Sequence, residues 1–184
     1  DLGQTALRIG KRVHSETGID RHGASVVSVA LDLAQDVTGA LSDRTALVVG
    51  AGAMSSLSLQ TLANRGVSDI TVASRTTAST KRAADLSGAT PIGMDELPGA
   101  LQKADVIVSA TGANGVVITA EDIATAMSGR PDRALVVVDL ALPHDTEPEV
   151  GAIRSVTRID LADLAHAPGA AASQSDLDVA RTLI

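Results

Sequence analysis

The spacing of hydrophobic positions changes along the chain, and each change marks an element. Leu2, Ala6, Ile9 and Val13 recur at helical intervals over residues 1–17, and Gly18 is a natural stop. Val26, Val29, Ala30, Leu33 and Val37 fall on one face of a second helix over 23–38, which Gly39 can close. From Thr45 the period shortens. Thr45-Ala-Leu-Val-Val49 is an apolar run ending at Gly50, the pattern of a strand buried on both faces. A helical stretch follows to about Arg65, with Gly66 after it, and Asp69-Ile-Thr-Val-Ala73 is the next strand. Helix 77–87, a weak strand at Thr90–Ile92 and a short helical turn after Met94 continue the alternation. Strands are also expected at Asp105–Ser109, within Arg133–Leu140 around Val136-Val137-Val138, and at Val156–Ile159. Thr119 with Asp122 resembles a capping box opening a helix to about Ser128. Residues 165–173, Ala-rich and containing Pro168-Gly169, read as a loop, and a new helix starts at Asp176.

Strands alternating with helices at this spacing predict an α/β fold. The expected architecture is a doubly wound, Rossmann-type parallel sheet of about six strands, order 3-2-1-4-5-6, with helices on both faces. No internal repeat is visible. Both termini fall within helical patterns, and Asp1 is not Met, so the sequence reads as a piece of a longer enzyme.

Composition narrows the possibilities. The 184 residues contain no Phe, Tyr or Trp, so the core must be built from Val, Leu, Ile, Ala and three Met. No aromatic platform exists on which single-stranded nucleic acid could stack. A net charge of −7 repels nucleic acid and anionic membranes on average. No apolar run is long enough to span a membrane, and no secretory signal is visible, so the cytoplasm is the expected setting. The absence of cysteine removes disulfides, thiolate metal sites and cysteine nucleophiles at once.

Gly50-Ala51-Gly52-Ala53-Met54-Ser55 lies between the first strand and its helix. In such a turn the first glycine permits a tight bend, and the second lets the backbone approach a diphosphate. The helix N-terminus then presents N–H groups and its positive dipole end to the anion. The usual third glycine is Ser55, small enough for close packing of helix on strand. In this strand–turn–helix setting the pattern points to dinucleotide binding through Gly50, Gly52, Ala53 and Met54. A methyltransferase-like nucleotide pocket and an ordinary turn without a ligand are the alternatives. At the end of the second strand stands Ser74-Arg75-Thr76. An NAD-preferring domain usually has an acid there. Here a guanidinium between two hydroxyls suits the 2′-phosphate of NADP(H), with a solvated surface arginine as the plainer reading. Lys81 could add charge nearby, or simply face solvent.

Ala110-Thr111-Gly112 follows the fourth strand and is expected near the diphosphate or nicotinamide ribose. Leu140, Ala141 and Pro143 follow the fifth and are expected to border the nicotinamide. Small residues and proline also merely punctuate loops. Asp145, Glu147 and Glu149 lie beside His144, but no ligand spacing supports a metal, and the stretch reads as a solvated face. His14, His22 and His166 sit singly, and no catalytic or metal-binding residue is assigned.

With these motifs placed, the chain resembles the NADPH-binding domain of glutamyl-tRNA reductase. The resemblance begins at Gly10-Lys-Arg-Val-His-Ser-Glu-Thr-Gly-Ile19, continues through Ser25–Ala30, Gly50-Ala-Gly-Ala-Met54 and Ser74-Arg75-Thr76, and extends to Ala104–Gly112, Asp139–Asp145 and Ile159–Leu164. The first segment and Ala104–Gly112 are the most specific; the glycine turn alone does not separate this family from shikimate dehydrogenases. Two departures stand out. The family often has asparagine where Ser74 stands, and arginine where His144 follows the proline; His144 reads as a loop histidine without a catalytic role.

The resemblance implies a two-step reaction. A cysteine thiolate takes the glutamyl group from glutamyl-tRNA as a thioester, and hydride from NADPH reduces it to glutamate-1-semialdehyde for tetrapyrrole synthesis. It further implies that residues 1–19 are the end of an N-terminal catalytic domain, which carries that cysteine, or of its linker helix, that 20–165 form the NADP(H)-binding domain, and that 166–184 start a C-terminal helix, with the dimerisation region lying beyond it. The isolated chain is then expected to be inactive. Glutamyl-tRNA would be met through the other domains, the full-length protein would be a homodimer, and its product would be handed to the next tetrapyrrole enzyme. A shikimate-dehydrogenase-like NADP oxidoreductase domain and a non-catalytic dinucleotide-binding module are the other readings.

Overall fold

A computed structural model describes residues 19–167. The helix expected over 1–17, His14, the loop beyond residue 167 and the helix from Asp176 lie outside the described residues.

The first described element, α1 (Ile19–Thr38), ends where Gly39 takes φ 82° and its N–H donates to the Gln35 carbonyl at 2.8 Å. Its buried stripe is wider than the sequence pattern suggests. Val26, Val27, Ala30, Leu31 and Ala34 are buried, Val29 and Leu33 only partly, and Val37 is 43% exposed. The helix packs against both the sheet and the next helix, so its contact face centres between two apolar rows.

The remaining chain alternates: β1 (Thr45–Val49), α2 (Ala53–Asn64), β2 (Asp69–Ala73), α3 (Thr77–Ser87), β3 (Thr90–Ile92), α4 (Leu97–Lys103), β4 (Val106–Ser109), α5 (Ala120–Ser128), β5 (Leu135–Asp139), β6 (Val156–Asp160) and α6 (Leu161–His166). The strands form one parallel sheet in the order β3-β2-β1-β4-β5-β6, the expected Rossmann-type arrangement. Val48 pairs with Val72 on one side and Val108 on the other, so β1 lies mid-sheet.

Period-two alternation distributes side chains between two cores. Ala46, Val48, Val106, Val108, Val136 and Val138 join the face covered by α1, α2 and α6. Leu47, Val49, Ile107, Leu135 and Val137 join Leu97, Leu101, Ile123 and Met127 of α4 and α5 on the other. Aliphatic residues on both faces explain why the strands read as unbroken apolar runs. The borders differ: β3 is three residues long with Pro91 in its middle, and β6 carries the half-buried Arg158 and Asp160.

At the N-terminal strand ends, the buried Asp105 accepts from the Thr45 N–H at 3.0 Å and from Arg133 in a bidentate pair, Nη2 at 2.6 Å. Arg130 adds contacts to Asp105 and to the Gln102, Ala104 and Ala134 carbonyls. Burial alone would raise the Asp105 pKa; the Arg133 and Thr45 hydrogen bonds and the two guanidinium charges outweigh it and hold it below the usual value.

Two helices differ from expectation. The turn after Met94 runs from a 3₁₀ segment (Met94–Glu96) into α4, because Pro98 sits in the first turn, where its missing N–H is not needed. The chain also enters α6 directly after β6. The Asp160 carboxylate accepts from the Ala162 and Asp163 N–H groups at 2.9 and 3.1 Å, and Asp163 accepts from the Asp160 N–H at 2.9 Å.

Candidate functional site

A cleft of about 190 Å³ opens across the carboxyl ends of β2, β1 and β4. Gly50, Ala51 and Gly52 come from the turn after β1. Ser74, Arg75 and Thr76 follow β2, Ser79 comes from α3, Met94 from the 3₁₀ turn, and Thr111 and Val117 from the loop after β4.

The two glycines solve different problems. Gly50 has φ 120°, and a Cβ there would strike the Ala110 carbonyl oxygen and the Ser55 Oγ. The chain leaves β1 pressed against the exit of β4, and only glycine fits. Gly52 has an ordinary φ of −84°, and a Cβ there would meet nothing within 4 Å. It borders open cleft at the N-terminus of α2, whose first N–H groups have no carbonyl partner within the helix. Ser55, the third-glycine position, is fully buried and donates to the Ala110 carbonyl at 3.1 Å. It therefore ties α2 to β4 as well as allowing close packing.

Arg75 is exposed at the β2 end of the cleft and makes no ion pair among the described residues. Lys81 instead faces solvent beside Asp85, at 3.7 Å. The Ser74 hydroxyl is engaged locally, 2.6 Å from Thr80 Oγ1 and 3.3 Å from the Thr76 carbonyl. Thr80 in turn donates to that carbonyl at 3.0 Å, so a hydroxyl network shapes the turn under Arg75. Among the described residues, no carboxylate lines the cleft.

The structure thus brings Gly50, Gly52, Ser74, Arg75, Thr76 and Thr111 together. Ala53 is exposed at the start of α2. Met54 points into the core, where only its backbone could serve a ligand. Ala110, Leu140 and Ala141 are buried; Gly112 and Pro143 are exposed on the loops after β4 and β5, outside the cleft lining. Ser79, Met94 and Val117 were not anticipated from the sequence. They reach the cleft from separate elements, and nothing in their local patterns marks them.

The acidic stretch after β5 needs correction: it is not a solvated face. Asp145 is 0% exposed. It accepts from Ser109 Oγ at 2.7 Å, from the Thr111 N–H at 2.8 Å and from the Thr111 hydroxyl. Its carbonyl accepts from the Val117 and Ile118 N–H groups at 2.7 and 3.0 Å. Glu147 is half-buried and accepts from the Ala120 N–H at 2.7 Å, at the N-terminus of α5; only Glu149 is exposed. The loop folds back over the sheet end, where these N–H and hydroxyl groups need acceptors.

Behind it lies a second network. The buried Asp139 accepts from the Ala141, Asp145 and Thr146 N–H groups and from Thr146 Oγ1 at 2.6 Å. Arg158 donates to Thr146 Oγ1 at 2.8 Å and to Asp160 at 2.9 Å. Burial opposes ionisation of Asp160, but the Asp163 N–H, Arg158 and the Ala162 N–H together hold its pKa below the usual value. His144 is half-buried, its ring nitrogens 3.7 Å from Asp139 and 3.9 Å from Asp160. Among the described residues, no group of three or more His, Cys, Asp or Glu could hold a metal, and no helix is long and apolar enough to cross a membrane.

Comparison with known proteins supports the Rossmann-type fold. The shikimate / quinate 5-dehydrogenase family profile matches residues 32–167. A glutamyl-tRNA reductase of Kineococcus radiotolerans is 44% identical over 183 residues, covering 100% of this chain and 41% of its own length. A glutamyl-tRNA reductase 1 of Nocardioides sp. is 45% identical over 164 residues, 89% of this chain and 38% of its own. Among solved structures, a glutamyl-tRNA reductase from Methanopyrus kandleri superposes with a TM-score of 0.73 at 34% identity, over 97% of this chain and 44% of that one. The chain spans about two fifths of the length of the curated relatives it matches. The chain belongs to the shikimate / quinate 5-dehydrogenase family, and along its whole length it is similar to part of the glutamyl-tRNA reductases.

Proposed function

We propose that this chain binds NADPH in the cleft over β2, β1 and β4 and acts as the hydride-donor domain of a glutamyl-tRNA reductase. The observation that carries the cofactor reading is the pairing of Gly52 and the α2 N-terminus with Arg75, in a cleft with no carboxylate among its described lining residues. The diphosphate would lie on the N–H groups at the start of α2, where backbone approach is open. Arg75 would pair with the 2′-phosphate, beside Ser74 and Thr76, which line the same end of the cleft. Met94 and Val117 supply apolar surface, and Thr111 a polar wall at the β4 end.

When bound, NADPH supplies the hydride; the residues of this chain bind and orient it. By analogy with the relatives, the acceptor is a glutamyl thioester and the product glutamate-1-semialdehyde. These 184 residues hold no cysteine, so the thiol that forms the thioester would come from elsewhere in the full protein, as would contacts with glutamyl-tRNA. Homodimerisation and transfer of the product to the next tetrapyrrole enzyme belong to the same proposal, as does a cytoplasmic setting.

The test titrates the chain with NADPH and NADH, read by nicotinamide fluorescence. A preference for NADPH that disappears in Arg75→Ala is expected; equal binding of both cofactors refutes the role of Arg75, and binding of neither refutes the cleft assignment. The family match over residues 32–167 favours a second reading, an NADP-dependent reductase of a small ketone acid. Turnover of such a ketone by the isolated chain would select it.

A further inference from the structure

We propose that Asp145 is a positioning residue for the dinucleotide, acting through Thr111; this rests on the cleft being the NADPH site. The three-residue segment Ser109-Ala110-Thr111 forms the wall opposite the glycine turn, since the Ala110 carbonyl lies where a Gly50 side chain would go. That wall is pinned from two sides. From α2, Ser55 donates to the Ala110 carbonyl. From the loop after β5, the Asp145 carboxylate collects the Ser109 hydroxyl, the Thr111 N–H and the Thr111 hydroxyl. Its carbonyl takes the N–H groups of Val117 and Ile118, at the far end of the same loop. One residue therefore closes both ends of the segment that carries Thr111 and Val117 into the cleft.

The chemistry of Asp145 supports a positional role over a general stabilising one. A fully buried carboxylate loses its hydration, and here its side-chain hydrogen-bond donors are all neutral. What the carboxylate supplies is direction: both oxygens accept from Thr111, one from its hydroxyl and one from its N–H, fixing backbone and side chain together. The Asp145 N–H donates to Asp139 at 3.3 Å, which anchors the clamp to the end of β5. Asp145→Asn keeps the shape but turns one oxygen into a donor facing donors.

Sheet order supplies the control. Arg75 lies at the β2 end of the cleft and Thr111 at the β4 end, with the glycine turn between them. Displacing Thr111 should weaken the whole dinucleotide and spare a ligand held only at the adenosine end. The experiment measures dissociation constants of the full chain for NADPH and for adenosine 2′,5′-bisphosphate, in wild type, Asp145→Asn, Thr111→Val and the double variant, with cooperative thermal melting as the folding check. NADPH binding is expected to weaken about tenfold in Asp145→Asn, the loss attached to a hydrogen bond with a charged partner. Binding of the bisphosphate should stay unchanged, and the double variant should be no weaker than Asp145→Asn alone.

NADPH binding at the wild-type level in Asp145→Asn overturns the proposal. So does an equal loss for both probes, which marks a general disturbance of the fold, or multiplicative effects in the double variant. Should Asp145→Asn fail to melt cooperatively, Thr111→Ser against Thr111→Val carries the test: serine must retain NADPH affinity and valine lose it, and equal affinities overturn the clamp. A wild-type chain that binds neither probe removes the cofactor reading itself, and this inference with it; a wild type that binds both while Asp145→Asn is unaffected removes this inference alone.

Discussion

Gly50→Ala is the sharpest perturbation the structure offers, because its neighbours are rigid. The added methyl would meet the Ala110 carbonyl oxygen and the Ser55 Oγ, and the backbone would have to hold φ 120° with a side chain. Ser55 can rotate away, giving up its 3.1 Å hydrogen bond. Ala110 cannot, because its N–H donates to the Val49 carbonyl at 2.9 Å and Gly50 itself donates to Ala73 at 2.8 Å. Relief means prying the exits of β1 and β4 apart. The dihedral strain is worth about 1–3 kcal/mol, and each hydrogen bond lost about 1 kcal/mol; a destabilisation of about 3–5 kcal/mol follows. At roughly 3 °C per kcal/mol for a domain of this size, the melting temperature should fall by about 10 °C or more. Far-UV circular dichroism is the assay, since the chain has no Trp or Tyr to report by fluorescence. Gly52→Ala is the matched control: it enters open space at an ordinary φ, and as a helix N-cap change should cost under about 1 kcal/mol. Its methyl projects toward the cleft, so NADPH affinity should fall while the melt barely moves. A Gly50→Ala protein that melts with the wild type, or a Gly52→Ala protein destabilised as much as Gly50→Ala, refutes the reasoning.

Other outcomes follow from the same structure. Asp105 and Asp160 both have folded pKa values below their unfolded ones, so their contributions are complete above the unfolded value and disappear as pH falls through the folded one. The melting temperature should accordingly drop below about pH 4, and the gap between wild type and Asp105→Asn, wide at neutral pH because Arg130 and Arg133 lose their partner, should narrow over that range. Thr119→Ala removes the side chain that caps the Asp122 N–H at 3.1 Å and should cost about 1 kcal/mol in urea unfolding. Leu31→Ala, at a fully buried site between α1 and its neighbours, should cost about 2–5 kcal/mol in the same assay; a loss below 1 kcal/mol would contradict the packing described.

The doubly covered parallel sheet was legible because β1, β4 and β5 are aliphatic on both faces, and its order because six strands alternating with helices suit the Rossmann arrangement. The Thr119–Asp122 capping box was legible for the same kind of reason, since its two side chains satisfy N–H groups in their own turn. The equivalent box at Asp160 and Asp163 went unread because β6 ends on the capping residue itself, leaving no loop to announce a new helix. At the cleft, Gly50, Gly52 and Arg75 lie where strand ends predict. Met94 and Val117 arrive through long-range packing that no local spacing encodes. Asp145 is the instructive miss. Alternating acids in a loop usually face water, and what buries this one is a set of donors 34 and 36 residues earlier in the chain.

The sheet's two borders have a consequence for how copies of this chain can meet. A strand laid beside β3 would find three residues, the central one a proline with no N–H to offer. One laid beside β6 would run along the ion-paired Arg158 and Asp160. Such borders discourage edge-to-edge growth and its slide into fibrils. The borders of a sheet built from short aliphatic strands thus offer a second strand either few backbone partners or a charged neighbour in place of an apolar one.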